Sequence, residues 1–537
     1  MHDVIVVGGG TAGCVLAERL SRSGRLRVKL IEAGGVPKNR FVAIPAGFPR
    51  LFKSEVDWAF ESEPQVAVGG RRIFTPRGKM LGGSSNMNAM MHQWCHPADF
   101  DSWEAAGATG WGWSDVVPIF REQERWGGDD GDPGRGRSGP MRIEPNRNAR
   151  AMTRLFVEAA RRAGLGDAEC YNGHAYAGAW IAELAHRHGR RFSAYHAYLE
   201  PAMRRRNLDV VTEAHATGIT IDGRRATGVT VRRTGRDETH VARAIVLSAG
   251  AYASPQLLML SGIGPAALLR TFEIPVHVDA PDVGEHLQDH PVLPMIYRTK
   301  STDTLMRVES PLELLRYLLF KRGMLASGGN EAFAFTQVQP GPVAAPDLEL
   351  MFLPFDVRKE FLEPPQEHAF GLGPAVVAPL SRGRVLLRSR DPFTPLGIDP
   401  ALLSDSAGID AKVLWEGVRL SRRIAATPPL AEQNAGELRP GPAVQSDRDL
   451  LAYASTELQT VYHPTSTCRM GSDARAVVDS RLRVRGVGGL WVVDASVMPA
   501  VPRGHPNAVV AMIANRAAAW IEDAIADRHM SRTAQHL

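Results

Sequence analysis

The chain has 537 residues, of which 44% are hydrophobic and 23% are charged, and its formal net charge at pH 7 is +5. That length predicts two or three domains, and the composition is typical of a folded globular protein. The arginines are scattered, with Arg204–Arg206 as the densest run and no interleaved aromatic residues. We therefore do not expect the protein to bind nucleic acid.

The cysteines and the apolar runs bear on where the protein works. Cys14, Cys95, Cys170 and Cys468 lie far apart without the spacing of a metal site, which indicates reduced thiols in an intracellular setting. No apolar run approaches the length of a membrane span. The first predicted strand starts within a few residues of Met1, which leaves no room for a signal peptide. We expect a cytoplasmic protein with no membrane span.

The N-terminal stretch predicts a dinucleotide-binding turn. Val4–Val7 is an unbroken apolar run rich in β-branched residues, as a strand buried on both faces requires. It leads directly into the pattern Gly8-x-Gly10-x-x-Gly13 and then into a helical pattern. In such a turn the glycines allow a tight bend, a close approach to a pyrophosphate and close packing of helix on strand.

A second strand supports that interpretation. Val28–Ile31 is largely apolar, and Glu32 follows it roughly 20 residues after the last glycine of the turn. A carboxylate at this place accepts hydrogen bonds from ribose hydroxyls. These residues predict an ADP-containing cofactor and, alone, fit NAD as well as FAD.

The middle of the chain adds further elements to this domain. The Gly-rich segment Gly78–Asn88 reads as a close-approach loop, although alone it is no more than an ordinary turn, and Gly127–Pro140 reads as an exposed loop. Apolar patterning then predicts three strands and a helix, at Leu208–Thr212, Gly228–Val231, Ala244–Leu247 and Pro255–Leu260.

From about Thr299 to Ser455 the pattern changes. Pro-rich joints separate alternating strands such as Leu348–Leu353 and Arg384–Arg388, and an amphipathic helix with an apolar stripe from Val413 to Ile424 lies between the joints. This indicates a second domain with an antiparallel sheet, inserted into the first.

The end of the chain returns to the pattern of the N-terminal segment, with an apolar strand at Leu490–Asp494 and an apolar helix at Asn507–Ala526. The predicted fold class is therefore α/β, with a discontinuous cofactor domain and an inserted α+β domain. We predict the cofactor domain over residues 1–147, 192–299 and 456–537, and the inserted domain over 148–191 and 300–455.

Two histidines stand beside the returning cofactor domain. His463 precedes Pro464, which places it on an extended or turn segment. His505 precedes Pro506 at the expected start of the last helix. Either histidine alone is better explained as an ordinary structural residue, but both flank turns at the ends of elements.

The chain resembles the glucose–methanol–choline flavoprotein oxidoreductases over nearly its whole length. The motifs that carry this resemblance lie in the family's order, at Val6–Gly13, Leu30–Gly34, Gly78–Asn88, Gly250–Gly264, Val283–His290, Tyr462–Pro464, Val493–Asp494 and His505–Asn507. The resemblance implies a Rossmann-like FAD-binding domain and an inserted substrate-binding domain.

By resemblance, FAD contacts come from both ends of the chain. The pyrophosphate is expected at Gly8, Gly10, Thr11, Ala12 and Gly13, the adenosine ribose at Glu32, and the adenine at the backbone of Ala216. The flavin side is expected at Gly83, Asn88, Asp494, Pro506 and Asn507. Met87 occupies the position at which some members carry a histidine joined covalently to the flavin, so we expect non-covalent FAD.

The resemblance also makes His463 the active-site histidine and His505 its partner. A neutral imidazole, with an ordinary pKa of about 6.5, takes a hydroxyl proton at neutral pH while the hydride leaves for flavin N5. We expect oxidation of a small-molecule alcohol, with O2 or a quinone-type carrier as the electron acceptor. A lyase on the same scaffold and a flavin-bound non-catalytic protein remain open alternatives.

The substrate is not defined by the sequence. Candidates for the pocket wall are Trp94, Phe333, Phe335, Phe352 and Phe355, although ordinary sheet-core packing explains most such aromatic residues. His286 and His290 have the spacing of neighbours on a helix, but the resemblance makes their segment structural and cofactor-side. We predict no metal site.

Overall fold

In the computed structural model, residues 2–128, 134–166, 171–172, 176–341 and 343–534 are described, with side chains up to residue 526. Cys170 and part of the predicted loop Gly127–Pro140 lie outside the described residues. Within them, no helix is both long and apolar enough to cross a bilayer.

The first sheet has a parallel core built from the predicted apolar runs. Within the described residues its parallel strands lie side by side in the order Leu208–Val211, Val28–Ile31, His2–Val7, Arg236–Leu247 and Leu490–Val492. The side chains of Val4, Ile5 and Val6 are fully buried, because helices and loops cover both faces of such a sheet.

The same sheet continues as an antiparallel meander. The N-terminal half of Arg236–Leu247 pairs with Arg225–Arg233, which in turn pairs with His215–Asp222. The turn between the last two strands lies at Asp222-Gly223, where Gly223 has a positive φ of 57°. This meander leads the chain from Ala216 back to the central parallel strand.

Helices from the two ends of the chain pack together on this sheet. Thr11–Ser21 packs alongside Asn507–Ala534, and Gly250–Leu260 follows the central strand. The side chains of Val15, Leu16 and Met512 are fully buried in this layer. The N-terminus and the C-terminal segment are therefore one structural unit.

The second sheet is antiparallel. Its strands lie in the order Asn434–Arg439, Met295–Thr299, Ala369–Val376, Leu348–Leu353, Ala332–Thr336 and Gly178–Ile181, and Pro291–Val292 pairs with both Ala369–Val376 and Gln459–Thr460. The amphipathic helix Ile409–Ala425 covers one face with its apolar stripe, together with Ala151–Ala160. The predicted antiparallel sheet is therefore present.

Shorter elements connect and flank the two sheets. The further α-helices are Pro97–Ala105, Trp113–Gln123, Glu200–Ala202, Ala266–Thr271, Pro311–Phe320, Leu430–Gln433 and Asp447–Glu457. The small strands are Phe60–Glu61, Phe74–Thr75, Glu124–Trp126, Met141–Pro145, Glu183–Leu184, His186–Arg187, Arg190–Arg191, Ile263–Gly264, Val278–Asp279, Glu285–Leu287, Gly383–Leu386 and Gly397–Asp399.

The mixed α/β architecture matches the fold class expected from the sequence, whereas the division into domains remains a prediction. Sheet membership argues for moving two of its boundaries. Met295–Thr299 and Gln459–Thr460 were assigned to the cofactor domain, but both pair within the second sheet. The boundary was placed at Thr299 because the change of sequence pattern becomes visible only beyond it.

Candidate active site

A cavity of about 1150 Å³ lies at the carboxyl edge of the parallel sheet and extends to the second sheet. Ligands bind at this edge in open α/β sheets. The predicted site residues that line it are Gly8, Gly10, Thr11, Ala12, Glu32, Gly83, Met87, Asn88, Ala216, Asp494, His463, His505, Pro506 and Asn507. Gly13 lies behind the residues that line the cavity. A Cβ there would be 1.8 Å from the Gly8 carbonyl oxygen, so this glycine allows the helix to pack on the strand.

The glycine turn opens toward the cavity. No described atom lies within 4 Å of the Cβ that a side chain would add at Gly10, so the backbone there is accessible to a ligand. Thr11 Oγ1 donates a hydrogen bond of 2.8 Å to Asn507 Oδ1, which joins the starts of the first and last helices. Two helix N-termini therefore meet at one place, where they favour an anionic ligand.

Glu32 fixes the shape of this turn. Its Oε2 accepts a hydrogen bond of 2.7 Å from the Gly9 amide, and its Oε1 accepts one of 2.8 Å from the Gly34 amide. Burial raises the pKa of the carboxyl group, and the two backbone donors oppose that rise. The carboxylate is thus held at the cavity wall, at the end of the strand that the sequence predicted.

Asp494 has a comparable anchoring role on the other side of the cavity. Its Oδ2 accepts hydrogen bonds from the Gly250 amide at 2.9 Å and from Ser254 Oγ at 2.5 Å. Its Oδ1 accepts from the amide and the hydroxyl of Ser496. These bonds hold the start of the helix Gly250–Leu260 against the end of the strand Leu490–Val492.

The loop Gly78–Asn88 closes on the glycine turn. The Gly82 amide donates a hydrogen bond of 2.7 Å to the Gly9 carbonyl, and a Cβ at Gly83 would be 2.7 Å from Gly10 Cα. Asn88 Oδ1 accepts a hydrogen bond of 2.7 Å from Arg191 Nη1. Met87 is buried among aromatic residues that include Phe52.

Aromatic rings line the far end of the cavity, near Ala216. Trp58 and His215 have ring centroids 5.6 Å apart, and His215 and Phe393 have theirs 4.9 Å apart. Flat rings of this kind offer stacking surfaces to a base. Two helix N-termini, a buried carboxylate and this aromatic end together fit an adenine dinucleotide. The sequence analysis missed Trp58 and Phe393, because they lie outside every motif.

At the opposite end of the cavity the two predicted histidines meet. The ring centroids of His463 and His505 are 4.8 Å apart, with an angle of 72° between the planes. Burial, together with the neighbouring His505 and His290, lowers the pKa of His463 well below its usual 6.5. The imidazole of His463 is therefore neutral at neutral pH.

Three further residues at this pair were not assigned from the sequence. His290 Nδ1 lies 3.1 Å from His463 Nδ1, and burial lowers the pKa of His290 to about 3. Asp289 Oδ1 accepts hydrogen bonds from the backbone amides of His463 and His290, at 2.7 and 2.8 Å. Glu349 Oε1 lies 2.9 Å from His505 Nε2.

The segment that holds His290 was read as structural, and its histidines have the spacing of neighbours on a helix. Glu285–Leu287 is a short strand instead. His286 therefore contacts Asp282 at 3.0 Å, while His290 contacts His463. Within the described residues, no group of three potential metal ligands is close enough to hold an ion.

The aromatic residues suggested for the pocket wall were the wrong ones. Trp94, Phe333, Phe335 and Phe352 are buried in the two cores, and Phe355 packs against Phe361 behind the wall. Alternation along a strand does not reveal which face meets a cavity. The apolar residues that line the end with the histidines are Val292, Ile296, Met351, Leu353, Val357, Phe48, Phe52 and Phe361, and the polar residues Asn330, Gln459, Thr460 and Tyr462 line the cavity as well.

The fold and this cavity are those of a mixed α/β protein whose cavity fits a dinucleotide. Models of GMC oxidoreductase match residues 2–292 and 379–514. The chain belongs to the GMC oxidoreductase family.

Similar proteins cover nearly the whole chain. An uncharacterized GMC-type oxidoreductase of Mycobacterium tuberculosis is 44% identical over 522 residues, which are 96% of this chain and 98% of that protein. An alcohol dehydrogenase [acceptor] of Pseudomonas putida is 36% identical and an oxygen-dependent choline dehydrogenase of Sinorhizobium fredii is 38% identical. These two matches cover 96% of this chain and 95% and 94% of the relatives.

The crystal structure of pyridoxine 4-oxidase from Mesorbium loti has a TM-score of 0.88 and 32% identity, over 96% of this chain and 98% of that one. With the family and these relatives, the chain is an FAD-dependent oxidoreductase of alcohols.

Proposed function

We propose that the protein oxidises an alcohol with an apolar body, and that His463 removes the hydroxyl proton while His505 holds the alcohol oxygen. The observation that carries this proposal is the pair of facing imidazoles at the apolar end of the cavity. FAD, when bound, supplies the acceptor for the hydride of the alcohol carbon. The protein residues provide the proton chemistry and the positioning.

His463 suits the role of base because it is neutral and oriented. Since the pKa of His290 is about 3, both rings of the Nδ1–Nδ1 contact are neutral, and one nitrogen donates while the other accepts. In our proposal His463 donates from Nδ1, which leaves the lone pair on its Nε2 for the hydroxyl proton.

His505 suits the role of oxygen binder because Glu349 contacts one of its nitrogens. In our proposal His505 carries a proton on each ring nitrogen: the one on Nε2 is donated to Glu349 Oε1, 2.9 Å away, and the one on Nδ1 is available to the substrate oxygen. Negative charge that develops on that oxygen then meets a cationic imidazole in a site with little water.

The apolar wall supports the substrate class. A sugar requires several polar groups to replace its hydroxyl hydration, since unmet hydrogen bonds are costly in a buried site. Val292, Met351 and Leu353 instead offer apolar contact to an aliphatic or aromatic body. The relatives named for choline and pyridoxine act on polar alcohols, so a substrate panel that includes both tests this point.

The experiment is flavin reduction under anaerobic conditions. Apolar primary alcohols are expected to bleach the flavin absorbance of the parent protein. His463→Ala should purify with FAD and lose about 10²–10⁴-fold in the reduction rate, the range of a general base, and His505→Ala should lose less. A parental rate in His463→Ala would contradict the assignment.

The same preparation tests the alternatives. Admitting air or adding a quinone after reduction identifies the electron acceptor, because fast reoxidation by air indicates an oxidase. Cleavage of a cyanohydrin without bleaching by any alcohol would favour the lyase, and FAD binding with no turnover of either kind would favour a binding protein.

A further inference from the structure

The helix Pro311–Phe320 has its apolar face on the outside. Glu313 and Tyr317 are buried, at 8% and 2% exposure, whereas a surface helix normally buries its apolar stripe. Its exposed apolar residues are Leu312 at 74%, Leu314 at 44%, Leu315 at 53%, Leu318 at 58%, Leu319 at 64% and Phe320 at 66%. We call these six residues the leucine face.

The buried polar residues hold the helix in this orientation. Tyr317 donates its hydroxyl hydrogen bond to the Ala43 carbonyl at 3.1 Å, and Glu313 Oε2 accepts one of 2.9 Å from the Met324 amide. Ser310 caps the start, because its Oγ accepts from the Glu313 amide. The leucine face is thus presented by specific contacts of the opposite face. A contiguous apolar patch of this kind marks an interaction site.

Basic residues border the leucine face. The segment from Arg307 to Arg322 contains four cations, Arg307, Arg316, Lys321 and Arg322, and two carboxylates, Glu309 and Glu313. Glu309 pairs with Arg50 at 2.6 Å, and the buried Glu313 pairs with Arg316 at 3.4 Å, so Arg307, Lys321 and Arg322 carry the remaining charge. The exposed charge around the apolar face is therefore positive.

A neighbouring hairpin adds to that charge. Arg187 and Arg190 are exposed on the strands His186–Arg187 and Arg190–Arg191. The hairpin adjoins the end of the helix, since a Cβ at Gly189 would be 2.0 Å from the Lys321 carbonyl oxygen. Leucine and phenylalanine on one face with Arg and Lys at its borders is the composition of helices that lie in the surface of a membrane.

We propose that the leucine face docks on the surface of a membrane with anionic lipid headgroups. The helix would lie parallel to the surface with its leucines among the outer acyl chains and the basic border at the headgroups. This is peripheral binding and needs no segment that crosses the bilayer.

A second copy of the chain fits the leucine face less well. A helix of ten residues is about 15 Å long and about 10 Å wide. That strip is a small part of the about 800 Å² that each partner buries in a standard interface. A two-fold contact between leucine faces would also bring the basic borders of two molecules together, whereas anionic headgroups complement them.

The leucine face lies beside the wall of the cavity. The helix contacts Ala43 through Tyr317, and the turn Met324–Ala326 that follows it packs on the segment Pro45–Leu51. Phe48 of that segment lines the cavity. A membrane at the leucine face would therefore meet the protein on the side of the apolar pocket.

Flotation with lipid vesicles tests the proposal on the FAD-loaded protein. We expect the parent to float with vesicles of phosphatidylcholine and phosphatidylglycerol, and to float less with phosphatidylcholine alone or in high salt. The variant Leu315→Gln/Leu319→Gln/Phe320→Gln should bind the anionic vesicles about tenfold more weakly or worse. The control Leu380→Gln/Leu451→Gln alters leucines that are 51% and 48% exposed elsewhere, and should bind as the parent does.

Melting temperature and flavin content show that each variant is folded. Absence of parental binding to the anionic vesicles, equal binding to both lipid compositions, or parental binding by the triple variant would overturn the proposal. So would light scattering that finds a dimer for the parent and a monomer for the triple variant, since a second copy would then cover the leucine face. None of these results depends on turnover, so the proposed function is tested separately.

Discussion

The contact between Glu349 and His505 gives a graded prediction for turnover. If His505 is cationic, its hydrogen bond to the Glu349 carboxylate is of the charged kind, worth about 1.5–3 kcal/mol against about 0.5–1.5 kcal/mol for a neutral one. Glu349→Gln keeps the shape and removes the charge, which costs about 1–1.5 kcal/mol, or about five- to thirteenfold in rate. Glu349→Leu removes the bond and should cost about ten- to 150-fold.

Stopped-flow flavin reduction without oxygen measures this loss, because it isolates the step in which charge develops on the alcohol oxygen. The loss should appear in the limiting reduction rate rather than in the apparent substrate affinity, since the oxygen gains its charge only as the reaction proceeds. Flavin content and melting temperature report whether the variants fold.

Glu331→Gln is the matched control. Glu331 is also fully buried and immediately precedes the adjacent strand Ala332–Thr336, but it contacts Ser327 and Thr153 rather than a histidine. Equal losses in Glu331→Gln and Glu349→Gln would mean that burial of a carboxylate matters and its contact with His505 does not. A parental rate in Glu349→Leu would refute the cationic role of His505.

Three further predictions follow from the site. The lowered pKa of His463 means that the base stays neutral as the pH falls, so the pH profile of flavin reduction should remain flat from neutral pH to below 6.5; a decline with its midpoint at or above 6.5 would contradict the assignment. Because Met87 carries no nucleophilic ring nitrogen, acid precipitation should release all the flavin into the supernatant. Gly13→Ala should lower the free energy of unfolding by about 1–3 kcal/mol, since its Cβ would be 1.8 Å from the Gly8 oxygen. Gly10→Ala should have the melting temperature of the parent when both lack cofactor, but it should retain less FAD. Thermal unfolding and flavin absorbance measure these two effects.

The parallel strands could be predicted because strands buried on both faces have an unbroken apolar pattern. Val28–Ile31 and Leu348–Leu353 have the predicted bounds. The residues on the cofactor side of the cavity could also be predicted from the sequence. Glu32 and Asp494 each follow such a strand, and a parallel sheet brings the carboxyl ends of its strands together. Their individual roles toward FAD stay predictions.

The support of the histidine pair could not be predicted from spacing, because it comes from segments far apart in the chain. One signal was nevertheless present. Glu349 is the only charged residue in the apolar run Leu348–Leu353, and a carboxylate within a buried strand needs a partner. Asking which basic group meets it would have linked this strand to His505. The segment 285–290 carried no comparable signal, because the helical spacing of His286 and His290 does not correspond to a helix in the structure.

The leucine face shows a different limit of sequence reasoning. Pro311–Phe320 contains five leucines and a phenylalanine, and an apolar helix reads as core. The orientation was decided by two polar residues, Glu313 and Tyr317, whose partners lie on other segments. Periodicity describes the faces of a helix, but it does not say which face the rest of the chain will cover.

Two buried carboxylates contact the adjacent histidines in different ways, which supports the different roles proposed for the two rings. A carboxylate on an imidazole ring favours its protonated form, and burial disfavours it. Asp289 is close to His463 but accepts from its backbone amide, so burial dominates and the ring stays neutral, as a base must. Glu349 instead contacts the ring of His505 itself, which is the ring proposed to hold the alcohol oxygen. The carboxylate beside the proposed base thus contacts its backbone, whereas the carboxylate beside the proposed oxygen binder contacts its ring.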